Sequence, residues 1–205
     1  MGRSFQRFVQ GESCILQERE DLIYFISDEH YGHSRVLDFC KKTRPFKTIE
    51  DHDQHLIDAH NRTVKNDNDE VWHLGDFYFG TDRRRAIEIF SSLRGRHHLI
   101  VGNHDKQIVK HLPWMSVQDY KLLKYEKHKF ILMHYPLAGG QWDCAHYGSF
   151  HLHGHTHSKY QYSENVRAMD VGIDSIGFSP ISIETVMKKM EKIGNYPVKK
   201  VEDAN

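Results

Sequence analysis

Side chains able to hold a divalent cation recur along this sequence in five short clusters, and four of them follow directly on an apolar run. Ser27-Asp28-Glu29-His30 closes the first such run, Gly75-Asp76 follows Val71-Trp72-His73-Leu74, Gly102-Asn103-His104-Asp105 follows Leu99-Ile100-Val101, and His134 follows Phe130 to Met133. The fifth cluster is Gly154-His155-Thr156-His157. Alternate side chains of extended backbone share a face, so Asp28 with His30, and His155 with His157, can each turn two ligands to one side. Imidazole, carboxylate and one amide oxygen, without a thiolate, suit Mn, Fe, Zn, Ni or Co and exclude a structural zinc site built from cysteine. Gly75, Gly102 and Gly154 each immediately precede a candidate ligand, as a sharp turn from a sheet edge into a crowded site would favour.

These clusters need a frame. Short β-rich runs cover Leu22 to Ser27, Glu70 to Leu74, His97 to Val101, Lys129 to Met133, Phe150 to His153 and Val166 to Ile173. Helical spacing marks Ile49 to Val64, through Leu56, Ile57, His60 and Val64, with Thr48 and Asp51 placed as a cap. A second helix is expected over Asp82 to Leu93 and a third over Ile183 to Ile193. Strand and helix alternate in the first half, which predicts an α/β domain. From Tyr120 onward strands follow one another with little helix between them, so the expectation there is a second, largely antiparallel sheet.

Composition bounds the rest. At 205 residues the chain fits one domain: residues 1–20 are read as an N-terminal extension, 21–195 as the domain that carries the clusters and 196–205 as a polar tail. Acidic and basic side chains balance at 28 each, so no basic field announces a nucleic acid. Seventeen histidines are the unusual figure, histidine being the commonest side-chain metal ligand. Cys14, Cys40 and Cys144 are scattered, which fits a reducing compartment. No apolar run is long enough to span a membrane, and the charged start lacks the pattern of a signal peptide, so a cytoplasmic protein is expected.

The ordered series Asp28-x-His30, Gly75-Asp76, Gly102-Asn103-His104-Asp105, His134 and Gly154-His155-x-His157 resembles the calcineurin-like metallophosphoesterase family, over nearly the whole chain. Val171-Gly172-Ile173-Asp174 followed by Ser179-Pro180-Ile181-Ser182 is similar to the end of its small bacterial and phage-type members. The resemblance implies a four-layer α/β/β/α sandwich of two mixed sheets flanked by helices. It implies one cation between Asp28, His30, Asp76 and His157 and another between Asp76, Asn103, His134 and His155, with Asp76 bridging, Mn favoured, and a metal-bridging hydroxide as nucleophile. It further implies that His104 stands over the phosphate as acid or transition-state stabiliser, oriented by Asp105.

Other residues stay open at this level. His33 either reaches the substrate or caps the following helix. Phe77-Tyr78-Phe79 offers a stacking surface or, the better expectation, finishes a core. The segment from Ala138 to Gly148 has the composition of a substrate-reading loop, with plain connection as the alternative. His52, His55, His60, His97, His98, His111, His128 and His151 are expected to be ordinary packed or surface histidines. The expected activity is hydrolysis of a small phosphodiester or nucleotide-like ester. A phosphomonoesterase is the alternative, and Gly75-Asp76-Phe77-Tyr78-Phe79-Gly80 lacks the Asp-Arg-Gly of protein phosphatases. A nuclease acting on long chains is disfavoured for want of an extended basic surface. A non-catalytic scaffold is disfavoured because every ligand position is filled.

Overall fold

The computed structural model describes residues 21–160, 162 and 166–193. The expected extension 1–20 and tail 196–205 lie outside them. Strands β1 (Ile23–Ile26), β2 (Glu70–His73), β3 (Arg96–Ile100), β4 (Ser116–Gln118), β5 (Tyr120–Tyr125), β6 (His128–Met133), β7 (Phe150–His153), β8 (Ala168–Asp170) and β9 (Ile181–Ser182) form two mixed sheets. The first runs β4-β3-β2-β1-β9, with β1 to β4 parallel and β9 antiparallel to β1; the second runs β5-β6-β7-β8. The helices are α1 (Val36–Phe39), α2 (Ile49–Thr63), α3 (Arg83–Ser92), α4 (Gln107–Lys110), α5 (Ile173–Ile176) and α6 (Ile183–Met190). No helix among the described residues is long and apolar enough to cross a membrane.

Side-chain alternation sorts each strand between two cores. Tyr24, Ile26, Val71 and Leu99 face α2 and α3, meeting Leu56, Ile57, Ala86, Ile89 and Phe90. Phe25, Trp72, Leu74 and Ile100 face the other way and pack on Phe130, Leu132, Phe150 and Leu152 of the second sheet, with α6 closing that core through Ile183 and Val186. On the far face of the second sheet Ile131 lies under Trp142 and Ala145, in a segment holding two single 3-10 turns. The helix ends follow sequence chemistry: the Thr48 hydroxyl accepts the Asp51 N–H at 3.1 Å, and the Asp82 carboxylate accepts from Arg84 and Arg85 at 2.9 and 3.2 Å.

One expectation is corrected. The second sheet is not largely antiparallel: only β5 and β6 run antiparallel, while β6/β7 and β7/β8 are parallel. The crossover that a parallel pair demands is made between β6 and β7 by the irregular 134–149 segment, without a helix to announce it. The short edge strands β4 and β9 were not among the expected strands.

Phe130 is fully buried between the sheets, with ring centroids 6.1 Å from Phe25 and 5.0 Å from Phe150. Phe130→Ala should cost about 3–5 kcal/mol in urea unfolding of the chelator-treated protein. A loss under about 1 kcal/mol would mean that the two sheets do not share this core.

Candidate metal centre

Strands β1, β2 and β3 are parallel, so their C-terminal ends open on one edge, where ligand-binding loops of α/β sheets gather. Asp28 and His30 follow β1, Asp76 follows β2, and Asn103 follows β3; His134 follows β6, while His155 and His157 follow β7. Backbone bonds lace these turns: Asp28 N–H donates to Gly75 O at 3.0 Å, His30 N–H to Asp76 O at 2.9 Å, and Gly154 N–H to His134 O at 3.0 Å. The two sheets meet where His155 N–H donates to the Asp28 carboxylate at 2.9 and 3.1 Å. A side chain at Gly154 would collide with Ser27 and Asp28, and one at Gly75 would lie 2.6 Å from the Gly102 Cα, so both glycines are required by close approach. Asp28, His30, Asp76, His155 and His157 all take positive φ, from 47° to 70°, a region that non-glycine residues rarely enter. Strain of this kind collects where surrounding structure forces it and function uses it.

The expected ligands come together in two groups. Ligand atoms of Asp28, His30 and His157 lie within 4.8 Å of one another, and so do those of Asp76, His134 and His155. Asp76 stands between the groups, its Oδ2 3.6 Å from His30 Nε2 and 3.5 Å from His134 Nε2. Asn103 Oδ1 sits 2.9 Å from His134 Nε2 and 3.0 Å from His155 Nδ1.

The residues fit a cation, and the reason is a surplus of lone pairs. His134 Nδ1 must donate to the Leu74 carbonyl, 2.7 Å away, because a carbonyl only accepts. Burial pushes the His134 pKa down to about 4, which leaves Nε2 as the nitrogen with the free lone pair, 2.9 Å from the Asn103 side-chain amide. Both ring nitrogens of the buried His30 lack a hydrogen-bond partner, and burial lowers its pKa well below the usual imidazole value. Burial also raises the pKa values of Asp28 and Asp76. Carboxylates thus converge with the uncharged imidazoles of His30 and His134 in a buried setting, a donor set that bound divalent cations would satisfy.

Two residues that sequence reasoning did not single out as site residues support His157. Arg44, almost wholly buried, donates to Asp28 O at 2.7 Å, to Glu29 O at 3.2 Å and to both oxygens of Asp174 at 3.1 and 2.6 Å. Asp174 Oδ2 in turn lies 2.7 Å from His157 Nδ1. Burial opposes the charge on His157, but hydrogen bonds to Asp174 and Cys40 and the fields of Asp28 and Asp174 outweigh it, pushing its pKa up to about 10. Burial likewise opposes charge on Asp174, yet bonds from His157, Arg44 and Thr43 hold its carboxyl below the usual range. A carboxylate that fixes one ring nitrogen leaves the other aimed at the metal position. The signal for Arg44 was slight: it lies in the polar stretch Lys41-Lys42-Thr43-Arg44, ahead of α2.

His104 is half-buried, its N–H donating to Asp76 Oδ1 at 2.8 Å and its ring 5.6 Å from that of His30. Asp105, expected to orient the His104 ring, instead accepts the backbone N–H groups of Gly102, Asp76 and Phe77 at 2.8 to 3.0 Å. It holds the turn of Asp76 against the turn of Asn103. His33 makes no side-chain cap on α1; its ring stacks on Phe79 at 4.0 Å, and burial pushes its pKa down to about 4. Phe77 and Tyr78 are buried in the core, while Phe79 is partly exposed and lies edge-on to His104 at 5.1 Å. His60, His97 and His151 are buried and bonded to carbonyls of Arg94, Leu93 and Ile131, as ordinary core histidines are.

Known proteins resemble this chain along most of its length. The gene 66 protein of Mycobacterium phage D29 is 31% identical over 181 residues, 75% of this chain and 88% of that protein. An uncharacterized protein of Methanocaldococcus jannaschii is 29% identical over 176 residues, 83% of this chain and 92% of its own. Among solved structures, a protein of unknown function from Aquifex aeolicus shares the fold, with a TM-score of 0.68, 23% identity, and coverage of 82% of this chain and 99% of that one. No protein-family model matches.

Asp174→Asn keeps the size of the side chain and removes the charge behind His157. Titration calorimetry with Mn²⁺ should then show about 10- to 100-fold weaker binding in protein whose circular dichroism is unchanged. Unaltered Mn²⁺ affinity would remove Asp174 from the support of the site.

Proposed function

We propose that this chain, whose ordered motifs resemble those of the calcineurin-like metallophosphoesterase family, hydrolyses a small, nucleotide-like phosphodiester at a binuclear centre for which Mn²⁺ is the favoured metal. The observation that carries this reading is the position of Asp76, one oxygen of which lies 3.6 Å from His30 Nε2 and 3.5 Å from His134 Nε2. A carboxylate so placed can serve two cations at once, and paired cations roughly 3.5–4 Å apart are suited to in-line displacement at phosphorus. Asp28, His30, Asp76 and His157 would hold one; Asp76, Asn103, His134 and His155 would hold the other. When bound, the pair supplies Lewis acidity that activates water near neutral pH and neutralises charge on the phosphoryl oxygens.

The chain's own groups do the rest. His104, tied to Asp76 through its backbone, protonates the departing oxygen or steadies the charge forming on it. Asp105 is a positioning residue that keeps the turns of Asp76 and Asn103 in register. Arg44 pins the strained backbone of Asp28 and neutralises Asp174, which orients His157.

Rates on bis-p-nitrophenyl phosphate and p-nitrophenyl phosphate test the reaction class. The reading expects the diester to be turned over with the higher kcat/KM; a clear preference for the monoester, or no turnover of either with Mn²⁺ bound, rejects it. For the roles, Asp76→Asn should lose both metals and turnover, whereas His104→Ala should retain metal and lose about 10²- to 10⁴-fold in kcat. Equal metal loss in the two variants would contradict the assignment.

A further inference from the structure

A cavity of about 370 Å³ opens directly against His157, walled by Asp38, Phe39, Lys41, Lys42 and Lys159. Its charge is lopsided, three lysines against one aspartate. None of the three lysines forms an ion pair among the described residues. Uncompensated ammonium groups around a concavity concentrate positive potential and attract anions. Phe39 is the second feature. Its ring is 57% exposed, an unusual setting for phenylalanine, and it is kept at the cavity wall by the Arg35 guanidinium 5.3 Å over the ring and by the edge of His33 at 6.3 Å. An exposed ring held in this way offers a stacking surface for a planar group, and a base can use it whatever its sequence identity.

We propose that this cavity is the subsite for the non-scissile part of the substrate, and that it selects a nucleotide carrying a phosphate beyond the scissile diester. The extra phosphate lies on Lys41, Lys42 and Lys159, and the base lies on Phe39. The inference rests on the reading of the Asp28–His157 edge as a phosphodiester centre, since it is adjacency to His157 that turns a basic cavity into a substrate subsite. Its size falls within the range of pockets for small ligands. A concavity of this volume holds one nucleotide unit, whereas a polynucleotide backbone would need a track of cations continuing beyond it.

Binding rather than turnover tests the proposal. Calorimetry on the Mn²⁺-loaded protein should give thymidine 3′,5′-bisphosphate roughly tenfold tighter affinity than thymidine 5′-monophosphate at low salt, with the gap narrowing as salt rises. The gap should close in the Lys41→Gln/Lys42→Gln/Lys159→Gln variant. Phe39→Ala should weaken thymidine 5′-monophosphate without weakening inorganic phosphate. Equal affinities in the unaltered protein, or a gap that survives loss of the lysines, overturns the subsite. Failure to hydrolyse any diester would strike the functional reading instead, and the binding difference is measured independently of it.

Discussion

The arrangement depends on one constraint: lone pairs from two sheets are forced to face each other at a common edge. His134 Nε2, Asn103 Oδ1 and His155 Nδ1 converge on one side of Asp76, while His30 and His157 gather with Asp28 on the other. Both ring nitrogens of the buried His30 are left without a hydrogen-bond partner, a need that a bound cation would meet. Much of the surrounding structure can be understood as holding the donors in place.

Several features follow from that requirement. The parallel order of β1, β2 and β3 brings three ligand-bearing turns to one edge, and the parallel β6/β7 pair does the same for the second sheet. Glycines at 75 and 154 remove the side chains that would keep the turns apart, and positive φ at five of the expected ligands is the conformational cost of the approach. Buried Arg44 opposes that strain from behind by bonding the carbonyls of Asp28 and Glu29 and the carboxylate of Asp174. Asp105 does the equivalent on the other side, with three backbone amides.

Most of the expected ligands could be proposed from sequence because four of the five clusters follow directly on an apolar run, so strand ends and ligand positions were read from the same stretch. The capped helix beginning at Ile49 was legible for a similar local reason, with Thr48 and Asp51 three residues apart. What escaped depended on distant contacts. Arg44 and Asp174 are 130 residues apart in sequence, and nothing near either one announces the bond between them. The Asp105 side chain turned to backbone amides rather than to the neighbouring His104 ring, a choice set by tertiary packing. The direction of pairing in the second sheet was invisible because period-two alternation is the same for parallel and antiparallel neighbours. The edge strands β4 and β9 have three and two residues, too short for any periodicity to register.

Anomalous diffraction at the manganese edge, from crystals grown with Mn²⁺, addresses the convergence itself. The account predicts two peaks, one on either side of the Asp76 carboxylate, the first within coordination distance of His30 and His157 and the second of Asn103, His134 and His155. A single peak that Asp76 does not share, or none at this edge, would contradict it.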